Sequence, residues 1–237
     1  MAWIEHDHAG VAALTARVAL ELEHACHDAI RARGAAWLAL AGGRTPLPIY
    51  ARLAARDFGG TISAIPTDER CVPHAHPACN LRALREAFAV NDAIVANGLT
   101  VEDGDEAASL RQAQALLALN AQPFDAVLLG MGADGHVASL FPGAANLAEG
   151  LAMEGGSAAI ATLPDPLPPE APFARISLTL PRLLHARTLL LVVTGDDKRR
   201  VLRHAQQHEG GAGTPGFLPV AALLHARDHR VQIHWSP

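Results

Sequence analysis

Helical spacing of apolar residues alternates with short unbroken apolar runs along this chain. Apolar side chains recur with the helical period across residues 8–33, which predicts a long first helix that Gly34 ends. Residues 37–41 (WLALA) form a short apolar run closed by two glycines, a pattern typical of a buried parallel strand. Thr45 and Pro46 then open a helix that continues through Leu53.

The same succession continues to the C-terminus. Apolar runs predict strands at residues 62–66, 124–129, 158–162, 175–178, 188–194 and 231–235, and helical patterns cover 80–88, 105–119 and the segment after Gly195. The proline-rich residues 163–172 and the glycine-rich residues 210–216 predict surface loops. This alternation predicts an α/β fold with helices on both faces of a mostly parallel central sheet, with residues 1–237 as a single domain.

The composition excludes several classes of protein. Hydrophobic residues make up 50% and charged residues 18% of the 237 positions, a balance that excludes a disordered or collagenous chain. The formal net charge is -5 and basic residues form no run, so nucleic acid is not expected as a partner. No apolar stretch reaches the roughly 18–20 residues of a membrane span, and the first residues lack the pattern of a signal peptide.

Cysteine usage indicates the compartment. Cys26, Cys71 and Cys79 are odd in number and scattered, which is not the pattern of a disulfide framework. We therefore expect a cytoplasmic, reducing setting. The sequence alone does not distinguish a monomer from a homodimer.

The loops after the predicted strands carry the candidate chemistry, because ligands of open parallel sheets bind beyond the carboxyl ends of the strands. The first is the loop Gly42-Gly43-Arg44-Thr45-Pro46. Its glycines allow close approach of a ligand, and the following helix N-terminus offers free N–H groups, which suits a phosphate. The alternative is an ordinary strand-to-helix turn. The loop has neither Walker spacing nor GxGxxG, so it does not indicate ATP or NAD.

A second loop combines glycines with a carboxylate and an imidazole. Gly130, Gly132 and Gly135 fit GxGxxG on paper, but the carboxylate of Asp134 would repel a pyrophosphate. His136, two residues from Asp134, is instead a candidate general base whose tautomer the carboxylate fixes. The alternative is a capping aspartate beside a structural histidine.

Residues 68–80 form a third polar loop. Cys71, His74, His76 and Cys79 have the form C-x2-H-x-H-x2-C, which raises a zinc site as an alternative. The neighbouring Asp68 and Arg70 instead favour polar contacts with a substrate.

Two basic residues stand beside later strands. Arg175 begins a predicted strand, and Lys198 lies where the strand at 188–194 gives way to a helix. Lys198 is the chain's single lysine, so this position favours a compact ammonium charge that suits a phosphate. The alternative for either residue is a solvated surface charge.

Five segments in order resemble one family. They are GGRTP, TDERCVPHAHPACN, FDAVLLGMGADGHVASLFPG, RISLTLPRLL and the turn from Gly195 to Lys198, and together they resemble the 6-phosphogluconolactonase family. That family shares its fold superfamily with glucosamine-6-phosphate deaminase, ribose-5-phosphate isomerase and CoA transferases. The resemblance implies a three-layer α/β/α sandwich without a metal or organic cofactor. It also implies hydrolysis of 6-phospho-D-glucono-1,5-lactone to 6-phospho-D-gluconate, the second step of the oxidative pentose phosphate pathway.

The resemblance also implies roles for residues of this chain. His136 would activate water, and Asp134 would orient its imidazole. The phosphate would bind to Gly42, Gly43, Arg44, Thr45, Arg175 and Lys198, and Asp68 and Arg70 would line the sugar end. From the loop chemistry we add the hypothesis that backbone N–H groups of Gly130 and Gly132 stabilise the oxyanion.

Two positions depart from the family pattern. Arg44 stands where serine is usual, which adds a positive charge to the phosphate site. Cys79 stands where serine is usual before Asn80, and a thiol is the weaker hydrogen-bond partner.

Two other functions compete with lactone hydrolysis. A glucosamine-6-phosphate deaminase shares the GxGxDGH turn but continues with Asn-Glu-Pro, whereas this chain has Ser139-Leu140-Phe141-Pro142 and no carboxylate there. A sugar-phosphate sensor would keep the pocket without chemistry, but binding alone does not require the pair of Asp134 and His136.

Overall fold

A seven-stranded, all-parallel β-sheet lies at the centre of the computed structural model, which describes residues 3–169 and 171–237. The strands of this part of the chain are β1 Trp3–Asp7, β2 Ala35–Leu40, β3 Thr61–Pro66, β4 Asp68–Arg70, β5 Ile94–Ala96, β6 Phe124–Gly130, β7 Ala159–Thr162, β8 Arg175–Leu178, β9 Ala186–Thr194 and β10 Val231–Ser236. The central sheet has the order β1-β10-β9-β6-β2-β3-β5. This confirms the predicted α/β class.

Helices cover both faces of the sheet, which makes the fold a three-layer α/β/α sandwich. They are α1 Val11–Arg33, α2 Leu47–Ala54, α3 Asn80–Phe88, α4 Glu106–Leu119, α5 Leu147–Leu151, α6 Leu180–Leu184, α7 Asp196–Gln207 and α8 Pro219–His225. Helices α1, α2 and α3 pack on one face against alternate residues such as Leu128. The remaining helices pack on the opposite face, where Leu129 points. Because both faces are covered, the inner strands are mostly apolar, and β2 is apolar throughout.

A second, three-stranded antiparallel sheet has the order β4-β8-β7. It lies on the α4 side of the molecule, since Ile160 and Ile176 belong to the core of that face. The sequence predicted strands at the positions of β7 and β8 but not their separate sheet. It also assigned residues 68–70 to a loop, whereas they form β4 and pair with β8.

Several elements were not predicted from the sequence. The edge strands β1 and β5 and the short helices α5, α6 and α8 are additional. Helix α1 begins at Val11 rather than near His8, because β1 and a turn occupy the preceding residues. The predicted loop at 163–172 contains no strand or helix in its described residues, and its Glu170 lies outside them. No helix among the described residues is long and apolar enough to cross a membrane.

The order of the strands places a crevice beside β2. From β2 the chain adds β3 and β5 on one side, and then β6, β9 and β10 on the other. The direction of winding therefore reverses between β2 and β6, and the loops after these strands diverge there. In open α/β sheets this is the location of ligand sites.

Candidate active site

A cavity of about 340 Å³ opens at the carboxyl ends of β2, β3, β6 and β9. Every residue predicted to act in catalysis or to bind substrate lines it except Asp134, which contacts the lining residue His136. The lining residues are Ala41, Gly42, Gly43, Arg44, Thr45, Pro46, Thr67, Asp68, Arg70, Asn80, Gly130, Met131, Gly132, His136, Ala138, Arg175, Val192, Thr194 and Lys198.

His136 and Asp134 form a hydrogen-bonded pair in the loop after β6. His136 Nδ1 lies 2.6 Å from Asp134 Oδ1, and the same carboxylate oxygen accepts the backbone N–H of His136 at 3.2 Å. Partial burial opposes ionisation of Asp134, but the hydrogen bonds and charge of His136 outweigh it and lower the pKa of the carboxyl. An ionised Asp134 accepts the Nδ1 proton, so the tautomer leaves the Nε2 lone pair for chemistry.

The loop that holds this pair has room for glycine alone at position 132. A Cβ on Gly132 would stand 2.2 Å from His136 Nδ1 and 2.5 Å from Asp134 Oδ1. The N–H of Gly132 donates to the carbonyl of His136 at 2.9 Å. That donor is therefore paired within the loop, and the oxyanion role of Gly132 stays a prediction that requires this hydrogen bond to open. Gly130 remains a prediction, and it pairs with Val192 in the central sheet.

Lys198 reaches the same loop from the opposite wall. It lies in the first turns of α7, directly after β9, and its Nζ donates to the carbonyl of Met131 at 2.7 Å. The ammonium therefore holds the turn that precedes His136 while it lines the cavity. This position is consistent with the predicted phosphate role, because the remaining N–H groups of Lys198 are available to a ligand.

The loop between β2 and α2 presents open backbone donors. Gly43 has a φ of +89°, a left-handed conformation that favours glycine. The N–H groups of Gly43, Arg44 and Thr45 donate to no backbone carbonyl of the described residues. Gly42 packs against the side chain of Asn80, where a Cβ would lie 2.1 Å from Oδ1. Open N–H groups at a helix start suit an anion.

Arg70 and Asp68 are fixed through Asn80, which the sequence prediction missed. Arg70 Nη1 donates to Asn80 Oδ1 at 3.0 Å and to the carbonyl of Ala78 at 2.6 Å. Asn80 Nδ2 donates to the carbonyl of Asp68 at 2.7 Å. The signal in the sequence was only that an asparagine begins a helix directly after the polar loop. Ser139 was also missed, and its hydroxyl donates to the Asp68 carboxylate.

Glu69 supports this wall from behind. It is fully buried and accepts the backbone N–H groups of Arg70 and Asn80, each at 2.8 Å, and of Leu81 at 2.7 Å. Burial raises the pKa of Glu69, against the effect of these N–H donors. The Cys79 thiol donates to Glu69 at 3.5 Å. The departure at Cys79 therefore affects a supporting contact and not the cavity lining.

Arg175 is buried at the start of β8. Its Nε and Nη2 donate to the carbonyls of Phe173 at 3.2 Å and Ala171 at 3.0 Å, and its guanidinium lies 5.7 Å from the ring centre of Phe141. Burial lowers the pKa of Arg175. Phe141 also packs against the His136 imidazole, with ring centres 4.3 Å apart. One aromatic ring thus supports both the candidate base and a candidate phosphate ligand.

The zinc alternative at residues 71–79 is not supported by the side-chain positions. His74 Nε2 contacts the carbonyl of Thr100 at 3.0 Å, and His76 Nδ1 accepts the N–H of Ala78 at 3.1 Å. The Cys79 thiol points to Glu69. Within the described part of the chain, these side chains and Cys71 form no convergent group of ligands.

The charge of the cavity is opposite to that of the whole chain. Arg44, Arg70, Arg175 and Lys198 line it together with one carboxylate, Asp68, whereas the formal charge of the chain is -5. Such a cavity can bind a small phosphorylated ligand and present it to an imidazole prepared as a proton acceptor.

Comparison with known proteins agrees with this geometry. Residues 10–235 match the sequence model of the family described as "Glucosamine-6-phosphate isomerases/6-phosphogluconolactonase". A 6-phosphogluconolactonase of Pseudomonas putida is 34% identical over 98% of this chain and 92% of its own length. One from Caulobacter vibrioides is 35% identical over 88% of this chain and 86% of its own length. A crystal structure of a 6-phosphogluconolactonase from Shewanella baltica superposes with a TM-score of 0.86 at 30% identity, covering 99% of this chain and 97% of that one.

Proposed function

Because the chain belongs to the family of glucosamine-6-phosphate isomerases and 6-phosphogluconolactonases, we propose that it hydrolyses 6-phospho-D-glucono-1,5-lactone with His136 as the general base. The curated relatives support lactone hydrolysis in the pentose phosphate pathway as the activity of this chain. The finer proposal is the mechanism, with residues 1–237 acting as one domain. The observation that carries it is the contact of 2.6 Å between His136 and Asp134 beside a cationic cavity.

The phosphate of the substrate binds the cationic end of the cavity. Arg44, Arg175 and Lys198 supply charge, and the open N–H groups of Gly43, Arg44 and Thr45 supply hydrogen bonds. Gly42 completes this turn by accommodating Asn80. Binding energy at the phosphate, remote from the reacting carbonyl, orients the ring for attack.

The sugar hydroxyls face Asp68 and Arg70. Both side chains are held in place before substrate binds, Asp68 by Ser139 and Arg70 by Asn80. This prior ordering reduces the entropy that binding would otherwise cost.

Water attacks the lactone carbonyl carbon while His136 Nε2 accepts one proton from it. A C–O bond forms, and the carbonyl oxygen becomes the oxyanion of a tetrahedral intermediate. Asp134 stabilises the imidazolium that results, because its carboxylate remains hydrogen-bonded to Nδ1. When the intermediate collapses, the bond from the carbonyl carbon to the ring oxygen breaks and the imidazolium protonates that oxygen. The product is the open-chain acid, and His136 returns to its neutral form.

An assay of lactone loss tests the proposal. Glucose-6-phosphate dehydrogenase generates the lactone in place, and its loss is followed above the spontaneous rate with and without EDTA. The proposal predicts rapid turnover that EDTA does not change. Folded protein that gives no acceleration would contradict it, and glucosamine 6-phosphate would then be the next substrate to test. The sequence after His136 lacks the carboxylate that such a deaminase would use, because residues 139–142 are Ser-Leu-Phe-Pro. Ser139 instead donates a hydrogen bond to Asp68.

A further inference from the structure

Three histidines and one glutamate meet between α1 and the edge of the central sheet, outside the catalytic cavity. Parallel pairing of β1 with β10 places His6 beside His234, and His8 follows two residues after His6. Glu21 reaches them from α1. One ligand atom from each of His6, Glu21 and His234 lies within 4.8 Å of the others. None of these residues lines the cavity that holds His136.

His234 is the fully buried centre of this cluster. Its Nε2 lies 3.2 Å from Glu21 Oε2, and its Nδ1 lies 3.1 Å from His8 Nε2. Glu21 Oε1 accepts a hydrogen bond from Arg17 Nε at 2.6 Å, so Oε2 is the oxygen left for His234. The outer contacts thus hold both side chains in one orientation, as second-shell partners of metal ligands do.

His6 supplies an observation that the protein contacts do not explain. Its ring stacks on His234 with centres 4.6 Å apart and planes 13° apart. Its Nε2 is buried, yet it has no hydrogen-bond partner among the described residues. Buried polar atoms are normally paired, because an unpaired one loses its interaction with water without replacement. A bound ion or other ligand would give this nitrogen the partner that the described residues do not supply.

The donor atoms of the cluster also suit a cation. Glu21 supplies a carboxylate oxygen, and His6 and His234 each supply an imidazole nitrogen. Carboxylate and imidazole together are ligands of borderline divalent ions such as Zn²⁺.

We propose that His6, Glu21 and His234 bind a borderline divalent transition-metal ion such as Zn²⁺. His8 is not a ligand in this proposal but orients His234 through their contact. Ligands about 2.0–2.1 Å from a tetrahedral ion are about 3.3 Å apart, so binding draws His6 inward and opens its stack on His234. Water fills the fourth position. The ion joins β1, α1 and β10 and takes no part in the reaction.

Cobalt titration with matched variants tests this site. Metal-free full-length protein is titrated with Co²⁺, whose visible absorption reports tetrahedral nitrogen and oxygen ligands, and Zn²⁺ is then added as a competitor. The variants are His6→Gln and Glu21→Gln. The matched control is His204→Gln, because His204 in the last turn of α7 and His208 directly after that helix form an exposed pair, with ring centres 4.1 Å apart, that can also attract such ions. Lactone turnover and circular dichroism establish that each variant is folded.

The proposal predicts one equivalent of tetrahedral Co²⁺, displaced by Zn²⁺, in the parent protein and in His204→Gln. His6→Gln and Glu21→Gln each remove a metal ligand. Loss of a residue that only hydrogen-bonds a ligand typically weakens metal affinity 10- to 100-fold, so the affinity of these variants for Co²⁺ should fall by at least that much. Turnover stays unchanged in all three. The proposal is overturned if the parent binds no Co²⁺ at millimolar concentration, if His204→Gln abolishes binding, or if folded His6→Gln and Glu21→Gln both bind as the parent does.

Discussion

Gly132 lies so close to His136 that a methyl group on Gly132 would stand 2.2 Å from the imidazole Nδ1. The glycine is therefore required by the packing of the histidine against its aspartate, and not only by the shape of the loop. Gly130, two residues earlier, has open space where its Cβ would lie. The two glycines look equivalent in the sequence, but the structure gives them different requirements.

Replacement of Gly132 separates a positioning effect from the general effect of an added methyl group. In Gly132→Ala the methyl group must displace His136 or Asp134, and a misplacement of about 1 Å can cost about a hundredfold in rate. Gly213→Ala is the control, because its Cβ has open space outside the cavity, and it should retain turnover within a few fold. Steady-state kinetics on both variants, with circular dichroism, check this. Equal losses in the two variants would argue against the positioning role of Gly132.

The charge of Lys198 should act mainly on binding. Charge-assisted hydrogen bonds contribute about 1.5–3 kcal/mol, so Lys198→Gln should raise KM about ten- to a hundredfold, with a smaller effect on kcat. Arg203→Gln, which removes an exposed charge from the same helix, should leave KM unchanged.

Chemical modification offers an independent test, because Lys198 is the single lysine. Trinitrobenzenesulfonate should inactivate the enzyme, and 6-phosphogluconate should protect it. Modification of Lys198 at the same rate with and without 6-phosphogluconate would contradict the binding role.

The cysteines should be poor nucleophiles. Burial, with a further contribution from nearby carboxylates, raises the pKa of Cys71 to about 12 and that of Cys79 to about 11. With a pKa of about 11, only about one Cys79 thiol in a thousand is ionised at pH 8. Alkylation by iodoacetamide should therefore be slow and should accelerate with pH through 9.5 without a plateau, while urea-unfolded protein reacts rapidly. A plateau near pH 8.5 in the folded protein would contradict this account.

The sequence was most informative where a strand is covered on both faces. Residues 124–129 are apolar except for Asp125, so β6 and the loop after it were predicted, and with them the candidate base. β1 was missed because its sequence WIEHD mixes polar and apolar residues at an exposed sheet edge. The antiparallel sheet was missed because its pairing of Arg70 with Arg175 joins residues far apart in sequence.

The supporting contacts of the site were beyond sequence reasoning for the same reason. Ser139 contacts Asp68 only in the folded chain, and no local spacing of residues in the sequence predicts that contact. The hydrogen bond from the Gly132 N–H to His136 likewise depends on how the loop closes. Residue types and strand ends located the site, whereas the direction of each side chain and N–H group required three dimensions.

The most direct test of the central claim compares turnover with affinity in His136→Asn. General-base catalysis contributes about 10²- to 10⁴-fold, so kcat should fall by that range. Affinity for 6-phosphogluconate, measured by isothermal titration calorimetry, should change little, because the cationic wall is intact. Asp134→Asn should follow in the same direction with a smaller loss of kcat. If His136→Asn instead weakens product binding while turnover hardly changes, His136 is not the base.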